Sequence, residues 1–327
     1  MDDNQKVLIT GNLGFIFSNF VRYVAYNRQK GYNWITIDNH ISPLSAYNRY
    51  ASYGFRGSHH HIADIADAST IDAIFRVERP DLVIHAAAQT SVDKSLTQSE
   101  LFERTNVQGT KAIVDACVKW EVKKLIHIST DEVYGSLTNE NDPSWTELST
   151  INPKNPYSIS KAKAEQTVIN AGKEYGLIYN IVRPSNNFGE RQTYDKLIPL
   201  TIKNVLDNKK IPIYGDGMQI RDWLYVGDNC AAILMVIEKG APNEIYNIGA
   251  NQEMTNIEIV QRICKILEQG YDLIEHIPDP RGKYHDFRYS MDCSKIRTLG
   301  WAPRFRLNDG LYQTCDWYKK NLWARNY

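Results

Sequence analysis

A glycine-rich turn near the N-terminus constrains the fold of this chain more than any other feature. The apolar run 7–10 predicts a buried strand, and Gly11 and Gly14 lie in the turn that leads from it into a helix. A second predicted strand, residues 34–38, ends in Asp38. This spacing is the fingerprint of a dinucleotide site, in which the helix N-terminus holds the pyrophosphate and the acid binds the ribose hydroxyls. The chain is therefore predicted to form a doubly wound parallel α/β sheet of the Rossmann type.

The same segment indicates which dinucleotide binds. The carboxylate of Asp38 would repel a 2′-phosphate, and no arginine follows it in residues 39–42, so NAD is favoured over NADP. One position departs from the fingerprint, because Phe17 stands where a third glycine normally allows the helix to pack closely on the strand. We expect either that the helix lies further from the sheet or that the Phe17 ring lies in the groove.

Two adjacent carboxylates follow a later predicted strand, residues 125–128. Adjacent acids are common in solvated loops, but Asp131 and Glu132 come directly after a buried strand, where open α/β sheets bind their ligands. In a partly desolvated cleft the two groups push each other's pKa values apart, so that one holds a proton while the other is ionised. We expect a proton donor and a proton acceptor side by side.

Tyr157 and Lys161 lie four residues apart in a predicted helix that runs from 155 to about 175, so both side chains share one face. An ammonium beside a phenol lowers the pKa of the phenol, which makes it a candidate base for oxidising an alcohol. Taken alone, the same spacing suits a surface helix that carries an aromatic residue and a cation. Its position after the carboxylate pair favours the catalytic interpretation.

Three further segments each allow two interpretations. The small residues 86–88 end a buried strand and either let a cofactor approach the backbone or pack under a helix. The residues around Arg281, His285 and Arg288 either grip a diphosphate or form a solvated basic loop. The run 59–61 consists of histidines, but consecutive residues of an extended segment point to alternate faces, so no metal site is predicted.

Bulk properties limit the class of partner and the domain organisation. At 327 residues and 43% apolar composition the chain can bury a large core, and 38 basic residues balance 38 acidic ones, which favours a small-molecule partner over nucleic acid or membrane. The five scattered cysteines lack CxxC spacing and are expected to be reduced thiols in a cytoplasmic protein. We expect an NAD-binding domain over 1–184, to which 221–240 returns, and a smaller α+β substrate lobe over 185–327.

Motifs along nearly the whole chain resemble those of nucleotide-sugar 4,6-dehydratases of the dTDP-glucose 4,6-dehydratase type, within the extended short-chain dehydrogenase/reductases. Their specificity comes from their number and order. The matching segments are Gly11 to Ile16, Asp64-Ile65, His85 to Ala88, Val92-Asp93, Ser129 to Gly135, Tyr157 to Lys161, Ser185 to Asn187, Lys196 to Pro199, Pro212 to Gly215, Arg221 to Val226 and His285-Asp286.

The resemblance implies a lyase, a hydro-lyase of deoxysugar biosynthesis with tightly bound NAD. Tyr157 would remove the O4 proton while NAD takes hydride from sugar C4, with Lys161 holding the phenolate and Thr130 binding O4. Glu132 would then remove the C5 proton, and Asp131 would protonate the departing O6. Hydride returns to C6, so the 4-keto-6-deoxy sugar forms without net redox change.

The same resemblance implies two sets of binding residues and a homodimer formed through the two long helices, 99–120 and 155–175. The set for NAD is Gly11, Gly14, Phe15, Ile16, Asp38, Asp64, Ile65, Ala86, Ala87, Ala88, Thr105, Tyr157, Lys161 and Asn187. The set for the nucleotide sugar is Thr90, Thr130, Asn186, Lys196, Leu197, Pro212, Tyr214, Arg221, Asn256, Arg281, His285 and Arg288.

Two segments depart from the family pattern. The usual Glu-Ser-His after the alanines is Gln89-Thr90-Ser91, and the arginine-rich loop near the C-terminus is rewritten over 279–288. We hypothesise that the small Ser91 leaves room for a bulkier sugar substituent, such as the 2-acetamido group of UDP-GlcNAc. Uridine and thymidine donors both remain open. A 4-epimerase and a catalytically silent NAD-binding scaffold, the latter motivated by Phe17, are the alternative functions.

Overall fold

A parallel sheet of seven strands forms the centre of the molecule. The computed structural model describes residues 5–27, 32–41, 48 and 59–321. The strands of the large sheet stand in the order β10-β6-β5-β4-β1-β2-β3, and every neighbouring pair is parallel. The strands formed by the described residues are β1 Gln5–Thr10, β2 Tyr32–Asp38, β3 His59–Ile62, β4 Leu82–His85, β5 Lys124–Ile128, β6 Tyr179–Pro184, β7 Asn186–Phe188, β8 Ile211–Tyr214, β9 Ile220–Tyr225, β10 Glu244–Ile248, β11 Glu253–Thr255 and β12 Ile274–Ile277.

Helices cover both faces of the large sheet, which explains why its central strands are apolar throughout. On one face, the helices Phe15–Tyr26 and Val226–Lys239 pack with the sheet around one apolar core. On the other face, the helices Ala68–Glu78, Gly109–Lys119 and Pro156–Tyr175 pack around a second core. The predicted Rossmann sheet is confirmed, and its carboxyl edge positions the site.

The C-terminal part of the chain forms two small sheets, β11-β9-β7 and β12-β8. The helices Leu197–Leu206, Asn256–Ile266 and Leu307–Lys320 contribute to their cores. β10 was predicted to belong to this second lobe, but it pairs with β6 in the large sheet because the helix Val226–Lys239 provides a crossover onto the first core. The division of the chain into two domains at residue 184 stays a prediction.

Local signals in the sequence account for the boundaries of two helices. Asn155 forms a capping box with Ser158 at the start of the helix Pro156–Tyr175, and Thr255 forms one with Glu258 at the start of the helix Asn256–Ile266. The predicted long helix 99–120 is interrupted, because Ser99–Phe102 is followed by a π-helical turn, Glu103–Gln108, before Gly109–Lys119.

Two bulk features complete the description. All five cysteines are free and buried. Among the residues that the structure describes, no helix combines the length and apolar character needed to cross a bilayer.

Candidate active site

The glycine turn after β1 lies against the segment that follows β4. Gly11 has a φ of +75°, and a Cβ there would stand 2.8 Å from the Cα of Ala87, so no side chain fits. Gly14 precedes the helix Phe15–Tyr26 and supplies no side-chain cap, which leaves the first N–H groups of the helix available to an anion. Asp38 Oδ2 accepts a hydrogen bond from Leu13 N at 3.0 Å and so orients this turn. These features fit the pyrophosphate of a dinucleotide.

Phe17 belongs to the core and not to the groove. Its side chain is 2% exposed and its ring centroid lies 5.2 Å from that of Phe20, in the cluster that includes the helix Val226–Lys239. A ring in the groove would be exposed to solvent, so the second of the two expectations is wrong. The large side chain at this position fills the space between two helices, and it leaves the phosphate-binding turn free.

Four more residues predicted to contact NAD follow β3, lie in the π-helical turn or lie on β7. Asp64 forms an ion pair with Arg104 at 2.7 Å, and Ile65 is buried under Gly109. Thr105 is buried in the π-helical turn, and Asn187 on β7 accepts a hydrogen bond from Asn229 at 2.8 Å. Their contacts with a cofactor stay predictions.

A short 3₁₀ turn, Asp131–Tyr134, carries the carboxylate pair directly after β5. The Thr130 hydroxyl donates to Asp131 Oδ1 at 3.1 Å and accepts a hydrogen bond from Glu132 N at 3.3 Å. Asp131 Oδ2 is buried and makes no hydrogen bond within the described chain, whereas Glu132 Oε2 accepts from Asn155 Nδ2 at 3.0 Å. One buried oxygen of Asp131 therefore has no hydrogen-bond partner within the described chain.

Burial and mutual repulsion change the acidity of this pair. Burial raises the pKa of Asp131 to about 8, and the neighbouring carboxylate of Glu132 contributes to the shift. Burial also raises the pKa of Glu132, against which the Asn155 hydrogen bond and the Arg281 charge act. Asp131 therefore holds a proton at neutral pH, as an acid that protonates a leaving group must.

The raised pKa of Asp131 predicts a pH effect on stability. The unfolded carboxyl titrates near pH ~4, so between about pH 4 and about pH 8 the folded state keeps a proton that the unfolded state has released. This group therefore makes the protein less stable as pH rises through that window. Asp131→Asn removes this titration. The free energy of unfolding of the variant relative to that of the wild type should therefore rise from pH 4.5 to pH 8, as measured by denaturant unfolding. A constant difference between the two proteins would contradict the assignment.

The predicted tyrosine and lysine share the first turns of the helix Pro156–Tyr175, and both are buried. Lys161 Nζ donates to the Ile128 carbonyl at 2.6 Å, and burial lowers its pKa to about 8, opposed by Glu165. The pKa of Tyr157 was predicted to be lowered by Lys161. That expectation is wrong for this structure, because burial and then repulsion from Glu132 raise the pKa of Tyr157, while an interaction with the Thr130 side chain acts to lower it.

A polar cavity beside the carboxylate pair collects several of the residues predicted to bind the sugar nucleotide. Arg221 donates to the Asp286 carbonyl at 2.9 Å and lies over the Tyr289 ring, 4.4 Å from its centroid. Arg281 forms a two-point ion pair with Asp93, at 2.6 and 3.3 Å. The cavity is lined by Val92, Glu132, Asn155, Asn186, Arg221, Arg281, Tyr284, His285, Asp286 and Tyr289.

Other predicted substrate residues lie around this cavity or away from it. Lys196 Nζ donates to the Thr90 carbonyl at 2.9 Å, and Tyr214 donates to Asp93 at 3.4 Å. Arg288 instead pairs with Glu253 at 2.6 Å and does not line the cavity. Leu197 and Asn256 begin their helices, and Pro212 lies on β8.

Sequence reasoning gave no role to Asp93 or Asn155. Asp93 lies in a segment that matched the family, and the Asn155-to-Ser158 spacing is a capping signal, so the sequence contained a signal for both residues.

The histidines His59 and His61 both contact Glu78, at 3.1 and 2.7 Å. The described part of the chain contains no group of three or more His, Cys, Asp or Glu residues that could hold a metal ion.

Comparison with known proteins agrees with this geometry. The sequence model of the NAD dependent epimerase/dehydratase family matches residues 7–249. The chain belongs to this family. Within it, the chain is 40% identical to a dTDP-glucose 4,6-dehydratase of Haemophilus influenzae, with 97% of this chain and 98% of the relative covered. It is 37% identical to a dTDP-glucose 4,6-dehydratase of Streptomyces niveus, with 97% and 94% covered.

Two solved members of the family show how far the fold extends. The dTDP-glucose 4,6-dehydratase of Streptomyces venezuelae, solved with NAD, superposes with a TM-score of 0.90 at 36% identity, covering 97% of this chain and 98% of that one. The UDP-glucose 4-epimerase of Thermotoga maritima, solved with UDP-glucose, gives 0.88 at 30% identity, covering 97% and 100%. The predicted resemblance to nucleotide-sugar 4,6-dehydratases is confirmed, and the predicted cofactor agrees with the family.

Proposed function

We propose that the protein is an NAD-dependent 4,6-dehydratase that converts dTDP-glucose into the 4-keto-6-deoxy sugar and water. The observation that carries this proposal is the carboxylate pair after β5, the buried Asp131 and the partly buried Glu132, which stands beside Tyr157 and Lys161. A 4-epimerase of the same fold needs the tyrosine and the lysine, but it has no use for a second acid and base. A scaffold needs none of the four.

The chain's own residues divide the proton transfers. The glycine turn and Asp38 would hold NAD, which would supply the hydride acceptor for C4 and the hydride donor for C6. Tyr157 would take the O4 proton as a phenolate, a form that the positive charges of Lys161 and of bound NAD would favour against the effect of burial. The resulting ketone acidifies the C5 proton that Glu132 removes. Asp131 keeps its proton at neutral pH and gives it to O6 through its free oxygen. Glu132 then returns a proton to C5.

The nucleotide half of the substrate is supported by charge. Arg221 and Arg281 both line the cavity next to Glu132, and guanidinium groups suit the two phosphates of a nucleoside diphosphate. The thymidine base is proposed because the similar relatives are dTDP-glucose 4,6-dehydratases. We further propose a cytoplasmic homodimer formed through the helices Gly109–Lys119 and Pro156–Tyr175, with Ile159, 38% exposed, in the interface.

The test is one incubation in deuterated water without added reductant. The purified protein is mixed separately with dTDP-glucose, UDP-glucose and UDP-N-acetylglucosamine, and the products are analysed by mass spectrometry and NMR. Loss of water with deuterium at C5 is expected for dTDP-glucose. Inversion at C4 without loss of water would show an epimerase, and unchanged sugars despite retained NAD would support the scaffold.

The identity of residue 91 predicts the choice between sugars. Ser91 accepts a weak hydrogen bond from Lys94 N at 3.4 Å and precedes Val92, which lines the cavity. Ser91→His should lower kcat/KM for the 2-acetamido substrate by roughly 10-fold more than for the glucose substrate, since a pocket that loses a few methylene volumes discriminates at about this level. The two substrates are assayed in competition. If the wild type turns over the glucose substrate and rejects the acetamido one, Ser91 does not make room for the 2-acetamido group.

A further inference from the structure

A buried asparagine in the π-helical turn connects the segment after β4 to the helix that carries Tyr157. Asn106 is 1% exposed, and its Oδ1 accepts a hydrogen bond from Gln89 N at 2.8 Å. Its Nδ2 donates to the Gln89 carbonyl at 3.0 Å and to Ser160 Oγ at 2.9 Å. Ser160 in turn donates to the Tyr157 carbonyl at 2.7 Å. One carboxamide therefore satisfies both backbone groups of a loop residue and reaches the catalytic helix.

The backbone of the same residue is tied to β1 through a buried chain of hydrogen bonds. Thr110 Oγ1 donates to the Asn106 carbonyl at 2.6 Å and contacts His85 Nε2 at 2.9 Å. The other ring nitrogen of His85 contacts Thr10 Oγ1 at 2.8 Å, and that hydroxyl accepts from Ala87 N at 3.1 Å. Because Thr110 Oγ1 donates its single proton to the Asn106 carbonyl, it accepts from His85 Nε2, and Nδ1 of the neutral ring then accepts from the Thr10 hydroxyl. The strand before the glycine turn is held by the same network.

The π-helical turn Glu103–Gln108 makes further contacts with other parts of the site. Such turns are rare, interrupt regular helix hydrogen bonding and occur mostly at functional sites. In this one, Arg104 pairs with Asp64 at 2.7 Å and Glu103 pairs with Lys163 at 2.9 Å, so its side chains contact the end of β3 as well as the catalytic helix. The turn therefore joins three parts of the site that are far apart in the sequence.

We propose that Asn106 is a positioning residue that fixes the loop 86–90 relative to Tyr157. This inference rests on the proposed function, because the loop ends at Thr90, which is expected to face the sugar, and Tyr157 is expected to take its O4 proton. If the carboxamide is removed, the loop and the helix can shift against each other. Hydride and proton transfers would then start from a misaligned sugar, whereas the diphosphate contacts at Arg221 and Arg281 would be unchanged.

Three variants distinguish a positioning role of Asn106 from a purely structural one. Asn106→Asp keeps the acceptor for Gln89 N and loses both donors, and Ser160→Ala breaks only the connection to the catalytic helix. Asn106→Ala removes all three contacts. Asn170→Ala is the matched control, because it removes an exposed carboxamide from the helix that carries Tyr157 and Ser160. Asn106→Asp and Ser160→Ala still test the proposal if the alanine variant does not fold.

The expected result is a split between kcat and KM. We expect kcat to fall roughly 10- to 100-fold in Asn106→Asp, in line with the cost of misplacing reactants by about 1 Å, while KM changes less than about threefold. Misaligned hydride return should also release a 4-ketoglucose nucleotide, at most one per active site, because each release leaves the bound cofactor as NADH. In the protein without added sugar, hydrogen exchange at the Gln89 amide should become faster in Asn106→Ala and unchanged in Asn170→Ala.

Each outcome decides between a positioning role and its alternatives. A loss of folded protein or of bound NAD in proportion to the loss of activity would show a purely structural role and overturn the proposal. Unchanged kcat with faster Gln89 exchange would also overturn it, because the loop would then move without affecting the reaction. If the wild type itself processes no nucleotide sugar, the proposed function fails first, and the exchange measurement still reports whether Asn106 holds the loop.

Discussion

Replacing Tyr157 with phenylalanine should lower kcat/KM for the nucleotide sugar by roughly 10²- to 10⁴-fold, the usual contribution of a positioned acid or base. The ring is buried and packs edge-on against Phe102, with centroids 6.3 Å apart, so phenylalanine keeps these contacts and loses only the hydroxyl. The expected measurement is steady-state formation of the 4-keto product together with the amount of NAD that co-purifies. Retained NAD with lost turnover would place the effect on proton transfer.

The control for this variant lies on the same helix. Tyr175→Phe removes a hydroxyl from a tyrosine that is 67% exposed, and we expect full activity from it. A Tyr157→Phe enzyme that keeps more than about a tenth of wild-type activity would mean that another group takes the O4 proton, since a general base contributes at least about 10². Asp131 and Glu132 would then be the groups to examine.

Replacing Glu165 with leucine should lower the free energy of unfolding by roughly 3–5 kcal/mol, because it leaves the charge of Arg183 buried without a partner. The two side chains are 1% and 4% exposed and form two hydrogen bonds, at 2.9 and 2.5 Å. Arg183 also donates to the Tyr134 hydroxyl at 2.7 Å, which connects the turn that carries the carboxylate pair to the catalytic helix. Denaturant unfolding monitored by circular dichroism measures the effect.

A double variant and a surface variant show whether burial is the cause. Adding Arg183→Met to Glu165→Leu should recover most of the lost stability, since an apolar pair of similar volume carries no desolvation cost. Asp115→Ala breaks the exposed pair with Lys111, and its effect should stay within about 0.5 kcal/mol. Equal losses in the free energy of unfolding for Glu165→Leu and Asp115→Ala would show that the buried ion pair is no more important for stability than an exposed one.

Local patterns in the sequence determined the class of fold and predict the position of the site. The glycine turn, the acid at the end of β2 and the apolar strands are each encoded within about 30 residues, and such signals survive without knowledge of the rest of the chain. The same holds for the carboxylates after β5 and for the Tyr157-to-Lys161 spacing on one helix face. For these features the structure adds distances and burial to what the sequence already indicated.

Only the tertiary structure decided how these groups are held. Phe17 packs in the core because the helix Val226–Lys239 lies over it, and Lys161 donates to a strand carbonyl because the helix covers the end of β5. Arg281 meets Asp93 across 188 residues of sequence. The pKa of Tyr157 is raised by burial and by the carboxylates of Glu132 and Asp131, which come from another segment of the chain. Each depends on contacts between segments remote in the chain, which neither periodicity nor spacing can reveal.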